Sequence, residues 1–306
     1  MSRASFRLGL LLLATAGLAA GCNKPADKQA PVGDSGSSGG SAKEVVIKIT
    51  GSDTMINLAA DWAAAYRDLH PNVRIEVKGG GSGVGIAALI DGKVAVATSS
   101  RTLDKDELKK VKAKTGKDAI QNQVGLDALA IYLHPDNPLE SISIEELAGI
   151  YSEGGGITQW EDLGVAGGKV QGKIVLVSRQ NSSGTYKYFQ EAVLGKGKDF
   201  RQGMLTQSGS SDVVALVSRT PQAIGYSGMG YKADSVRFLP VAKKKGEKGV
   251  LPSIESATDG SYPISRPLFL YTAGEAEGAV KEFLDWVLTA EGQAIVKEAG
   301  YVPLPK

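Results

Sequence analysis

Cysteine is nearly absent from this chain. Its 306 residues include one, Cys22, so no disulfide can form within it. Histidine occurs twice, as His70 and His134, each followed by proline. Two isolated histidines give neither a cluster nor a ligand spacing, so no metal ion is expected. Neither is placed to act as the base of a serine nucleophile, and no G-x-S-x-G elbow surrounds the serines. At Ser183 the S-x-x-K pattern fails, because Tyr186 stands where lysine is required. No paired carboxylates stand out for hydrolysis, so an enzyme is not expected. The chain also lacks G-x-x-x-x-G-K-S/T, and no G-x-G-x-x-G follows its first strand with an acid about 20 positions on, which argues against nucleotides and other cofactors. An excess of one charge is missing too. Removing Arg3 and Arg7 with the leader would take 35 basic side chains to 33, against 33 acidic. A near-neutral chain is a poor partner for nucleic acid.

The longest apolar run, Leu8 to Ala20, is too short to span a bilayer as a lone helix. Preceded by Arg3 and Arg7, it reads as the core of a signal peptide over residues 1–21. The run ends Leu18-Ala19-Ala20-Gly21-Cys22, small residues before the cysteine, and resembles the bacterial lipoprotein cleavage box. Cys22 is then the lipidation site, anchoring the protein to the lipid bilayer on the extracytoplasmic, periplasmic side. Residues 22–43 follow, rich in Gly, Ser and Pro, and are expected to form a flexible tether.

Glycine is plentiful: 39 residues, where an average share of about 7% would give roughly half that. Much of it lies in polar turns that join a strand to a helix. Ile47 and Ile49 alternate as a strand, Gly51-Ser52-Asp53-Thr54 turns, and Leu58, Trp62 and Tyr66 repeat at i, i+4 and i+8 on a helix. Val73, Ile75 and Val77 form a second strand, followed by Gly79 to Gly85 with Ser82 in the turn, and a helix over Ile86 to Ile90. A third strand, Val94 to Ala97, runs into Thr98-Ser99-Ser100-Arg101 and a helix from Asp104 to Lys112. The fourth unit is Ile174 to Val177, then Ser178-Arg179-Gln180-Asn181-Ser182-Ser183-Gly184-Thr185, then a helix from Tyr186. Each such turn places unpaired backbone N–H groups and hydroxyls at a helix N-terminus, which favours an anion. In an open α/β sheet these strand ends gather on one side. Arg101 and Arg179 would add guanidinium forks suited to an oxyanion.

The remaining chain supplies supporting elements. Ala128 to Leu133 reads as a strand stopped by His134-Pro135, and Ser143 as the cap of a helix with Glu145 and Glu146 in its first turn. Trp160 is expected to pack. Lys243, Lys244, Lys245 and Lys248 read as a solvated loop. Leu268 to Tyr271 is expected to pair with Ala128 to Leu133 as a two-strand hinge. The predicted fold is α/β with two lobes, two hinge crossings and a cleft between them. Residues 44–130 and 268–306 form lobe 1, and residues 131–267 form lobe 2.

The ordered set GSDT, GGGSGVG, TSSR and SRQNSSGT, with Gly225-Tyr226-Ser227 and Tyr262-Pro263-Ile264-Ser265-Arg266-Pro267-Leu268, resembles the PstS family. Its members are phosphate-binding proteins of the phosphate ABC transporter, and the likeness is to the shorter, lipid-anchored branch. It covers about Val45 to Lys306 and implies a periplasmic-binding-protein fold. It also implies a monomer that binds inorganic phosphate and delivers it to an ABC permease in the inner membrane. By position the family's ligand contacts fall on Thr54, Met55, Ser82, the turn of Ser99, Ser100 and Arg101, Arg179, and Ser183, Gly184 and Thr185. Longer members carry an aspartate in the third turn, where this chain has Ser99-Ser100-Arg101; Asp53 is the candidate for the displaced acceptor. Two other readings stand beside this one: a receptor for another tetrahedral oxyanion (sulfate, molybdate or tungstate), and a surface scaffold or signalling protein with a vestigial cleft.

Overall fold

A computed structural model describes residues 44–165 and 167–305. The expected signal peptide, Cys22 and the tether lie outside the described residues. The chain begins with β1 (Val45–Gly51), α1 (Ile56–Leu69), β2 (Val73–Lys78), α2 (Ser82–Ile90), β3 (Val96–Ser99) and α3 (Lys105–Thr115). A long strand, β4 (Ala119–Leu133), leads into β5 (Ile142–Ser143), α4 (Ile144–Tyr151), β6 (Val175–Arg179), α5 (Gly184–Phe189), β7 (Leu205–Gln207) and α6 (Ser210–Val217). Then come β8 (Ala223–Gly228), β9 (Arg237–Leu239), β10 (Val241–Ala242) and α7 (Ile254–Thr258). The chain returns through β11 (Ser265–Ala273), α8 (Gly278–Val287) and α9 (Ala290–Glu298).

The strands follow the order β2-β1-β3-β11-β4-β8-β6-β7, with β9 also paired to β4. β1 runs parallel to β2 and β3, and β6 runs parallel to β7 and β8. Between these two parallel sets, β11 and β4 run antiparallel. β4 belongs to both halves. Its Ala119 to Ala128 segment pairs with β11, and Leu129 to Leu133 pairs with β8 and β9. This corrects the expected hinge pairing. Leu268 faces Gly125 and Tyr271 faces Gln121, while Ser265 faces Ala128. The polar Gln121-Asn122-Gln123 hides the first part of β4 from a periodicity reading, and pairing with β11 supplies what local propensity does not.

Two lobes result, each with its own core. In the first, Leu58, Trp62 and Tyr66 of α1 are fully buried, and Tyr66 meets Phe283 and Trp286 of α8 edge-on at 5.3 Å. Trp62 Nε1 donates to the Gly292 carbonyl at 2.9 Å, fastening α1 to α9. In the second, Tyr132, Tyr151, Trp160, Phe189 and Tyr226 are buried together, with Phe189 and Tyr226 stacked at 3.9 Å. Local signals match the helix starts. Ser143 and Glu146 form a capping box on α4, and Asp104 and Glu107 form another on α3.

Candidate functional site

The parallel strands of both lobes end toward one another. β1, β2 and β3 deliver the turns at Ser52–Thr54, Gly79–Ser82 and Ser100–Arg101. β6, β7 and β8 deliver those at Gln180–Thr185, Ser208–Ser210 and Met229. In the first lobe the hydroxyls form a chain: Ser52 Oγ donates to Ser100 Oγ at 3.1 Å, and Ser82 Oγ lies 3.4 Å from Ser100 Oγ. Ser82 Oγ also accepts from the Ser100 amide at 3.1 Å. All three serines are buried.

The second lobe closes on this chain. Thr54 Oγ1 and Thr185 Oγ1 are 2.9 Å apart, and the Gly83 amide donates to the Ser182 carbonyl at 2.9 Å. Gly184 starts α5 directly against the first lobe. A Cβ there would be driven into Ser82 Oγ and would lie 2.7 Å from Ser100 Oγ, so only glycine lets the turns come this close. Ser183 Oγ accepts from the amides of Thr185 and Tyr186 at 3.1 and 3.4 Å, which makes it the cap of α5.

Arg179 is 1% exposed at the end of β6. Its Nη2 donates to Asp53 Oδ2 at 2.9 Å and to the Ser208 carbonyl at 3.0 Å, and its Nη1 donates to Ser210 Oγ at 3.0 Å. Its Nε is buried without a partner. Burial lowers the pKa of this guanidinium, and the Asp53 carboxylate opposes that shift. Asp53 Oδ1 accepts from the Gly80 amide at 2.7 Å. Both carboxylate oxygens of Asp53 are thus engaged by protein donors, and its side chain bridges the two lobes rather than standing as a bare acceptor.

Three of the expected contacts take other partners. Arg101 turns its fork onto Glu107, with Nη1–Oε2 and Nη2–Oε1 both at 2.7 Å, and donates from Nη1 to the Thr102 carbonyl. Burial works against the Arg101 charge, but the hydrogen bonds and charge of Glu107 leave its pKa raised. A bidentate carboxylate six residues away satisfies this arginine locally, so its fork is turned to Glu107 and not to the hydroxyl cluster. Ser99 Oγ donates to the Arg101 carbonyl at 2.7 Å, so Ser100 is the hydroxyl that this turn sends inward. The Met55 amide donates to the Ser52 carbonyl at 3.0 Å, and its side chain packs in the core.

The sequence reading missed a buried ion pair behind Thr54. Arg266 Nε and Nη2 donate to Asp127 Oδ2 at 3.0 and 2.8 Å. Asp127 sits alone in the apolar run Val124 to Leu133, and a lone acid in such a run is itself a signal. Burial raises its pKa, opposed by the Arg266 charge. Two tyrosines hold the first turn from behind: Tyr231 Oη donates to the Asp53 carbonyl and Tyr301 Oη to that of Thr54. Among the described residues no group of acidic, histidine or cysteine side chains could hold a metal ion. Likewise, no described helix is long and apolar enough to cross a membrane.

Comparison with known proteins gives a consistent answer. The PBP superfamily domain matches residues 25–291. A phosphate-binding protein PstS of Pseudomonas aeruginosa is 37% identical over 265 residues, covering 83% of this chain and 82% of that one. The Bacillus subtilis phosphate-binding protein PstS is 32% identical over 306 residues, covering 99% of this chain and 95% of that one. Among solved structures, one from Clostridium perfringens, assigned to phosphate ABC transport and crystallised with bound phosphate, aligns with a TM-score of 0.76. The two are 29% identical, and the alignment covers 85% of this chain and all of that one. An ABC-type phosphate transport receptor from Vibrio cholerae aligns with a TM-score of 0.66 at 28% identity, covering 85% of this chain and all of that one.

Proposed function

Because the chain belongs to the phosphate-binding protein (PstS) family of the PBP superfamily, we propose that it is an extracytoplasmic receptor for inorganic phosphate that serves an ABC permease. One observation carries this reading: strand-end turns from both lobes meet in a single buried cluster of hydroxyls, amides and guanidinium groups. Ser52, Thr54, Ser82 and Ser100 come from the first lobe, and Arg179, Gly184 and Thr185 from the second. A tetrahedral oxyanion wants many short hydrogen bonds away from water, and such a cluster supplies them. An anion bound between the lobes stabilises the closed form, since only closure brings both donor sets to it. Asp53 orients Arg179, and Ser183 builds the turn that presents Thr185. Cys22 carries the lipid, and residues 22–43 give the domain reach from the bilayer surface.

Isothermal titration with phosphate, sulfate, molybdate and tungstate, each at pH 7 and fixed ionic strength, tests the reading. The expected result is tight binding of phosphate and at least tenfold weaker binding of the other three. Preference for another anion would make the protein a receptor for that one. Silence toward all four would leave a scaffold with a vestigial cleft.

A further inference from the structure

The site holds a second buried arginine that none of the helix-starting turns supplies. Arg266 on β11 and Asp127 on β4 face each other in register, two residues before β4 changes partners from β11 to β8. They are 1% and 0% exposed. One edge of the Arg266 guanidinium, Nε and Nη2, lies on Asp127 Oδ2, and Asp127 Oδ1 accepts from the Met229 amide at 3.0 Å. Nη2 is also 3.2 Å from Thr54 Oγ1 and 3.0 Å from Thr185 Oγ1, hydroxyls that belong to opposite lobes. Nη1 is buried with no partner, although it carries two N–H donors.

A purely structural pair would not need this arrangement. Asp127 occupies one edge of the fork, and the Tyr188 ring lies 5.6 Å from the guanidinium carbon. Neither accounts for two buried donors left on Nη1, and unpaired buried donors are costly. An oxyanion among the same hydroxyls would satisfy them. The formal charges are already balanced within the site. Asp53 offsets Arg179 and Asp127 offsets Arg266, so the cluster carries no net formal charge. It would hold a dianion through the N–H donors that the two arginines have left over.

Resting on the receptor reading above, we propose that Arg266 is a direct ligand of the bound oxyanion, donating from Nη1, with Asp127 as its positioning residue. Because Arg266 stems from the strand pair that joins the lobes and touches a threonine of each, one side chain senses both the anion and closure.

The test compares the parent protein, Arg266→Lys, and the double variant Asp127→Asn with Arg266→Gln. Each is dialysed free of phosphate, titrated calorimetrically with inorganic phosphate at pH 7, and melted without it. Lysine keeps a charge opposite Asp127 but loses the second edge of the fork. The double variant removes both charges together, so no buried charge is stranded. Both are expected to melt within a few degrees of the parent and to bind phosphate at least tenfold more weakly. In parallel, the arginine side-chain nitrogen resonances of labelled parent are examined with phosphate bound for scalar coupling to phosphorus across a hydrogen bond; coupling to Arg266 Nη1 is expected, a response that a structural pair would not give even if closure moved it. If the parent binds phosphate but Arg266→Lys binds within twofold of it, or Arg266 Nη1 shows no coupling to phosphorus, this inference fails and the receptor reading survives. If the variants do not fold, the resonances of the parent alone decide. A parent that binds no phosphate overturns both.

Discussion

Replacing Arg179 with alanine should weaken phosphate binding by more than tenfold. The loss removes a buried, charge-assisted donor and leaves the Asp53 carboxylate without its cationic partner; truncations of this type cost about 2–5 kcal/mol. Titration of the variant checks it. Asp53 itself calls for a different expectation from the one its sequence position suggested. A bare carboxylate would accept from a phosphate hydroxyl and repel sulfate, so Asp53→Asn would shift the preference between them. Here both oxygens already accept from Gly80 and Arg179. The ratio of phosphate to sulfate affinities should therefore stay within twofold, measured for parent and Asp53→Asn at one pH and ionic strength. Which residues gather was legible for those next to a strand end: Thr54, Ser82, Ser100, Arg179 and Thr185 all follow a readable strand. Arg101 shows the limit of that rule, because Glu107 captured it from within its own capping box. Asp127 and Arg266 lay beyond it, since they meet only through cross-strand register, and register between distant segments is not written in local periodicity.

At the scale of elements, the start of α5 governs how closely the lobes meet. Gly184→Ala keeps the helix and adds one methyl, which would collide with Ser82 and Ser100 of the opposite lobe. The variant should fold normally, lose at least tenfold in phosphate affinity, and show a smaller contraction by small-angle X-ray scattering when phosphate is added. A contraction equal to the parent's would mean that the turns need not touch. β1, β2, β3 and β6 were readable because each carries apolar residues at strand spacing and runs into a Gly- or Ser-rich turn, whereas the short, largely exposed β7 carries no such pattern. The long β4 was half hidden. Its first residues gain their order from β11 rather than from their own pattern, and the hinge pairing read from sequence slipped accordingly.

For the whole molecule, ligand and anchor make separate predictions. Phosphate at a hundred times its dissociation constant should stabilise the folded form by about 2.7 kcal/mol through mass action. Thermal melts across a phosphate series would show a rise in melting temperature that sulfate at the same concentration does not match. Cys22→Ser should release the protein from membranes with melting temperature and phosphate affinity unchanged. Fractionation checks this, and sedimentation of the variant with membranes in high salt would contradict the lipid anchor.

The placement of β11 has a consequence for timing. β3 finds its second neighbour only when Phe269, Leu270 and Tyr271 have been made, and α1 finds its cover only with α8 and α9. The first lobe is thus begun by β1, β2 and β3 and finished by β11, α8 and α9, far apart along the chain. Contacts so distant along the chain form slowly, because a long loop must close before they gain anything. The first lobe therefore cannot be completed before α8 and α9 have been made. Such a delay would suit the exported receptor proposed above.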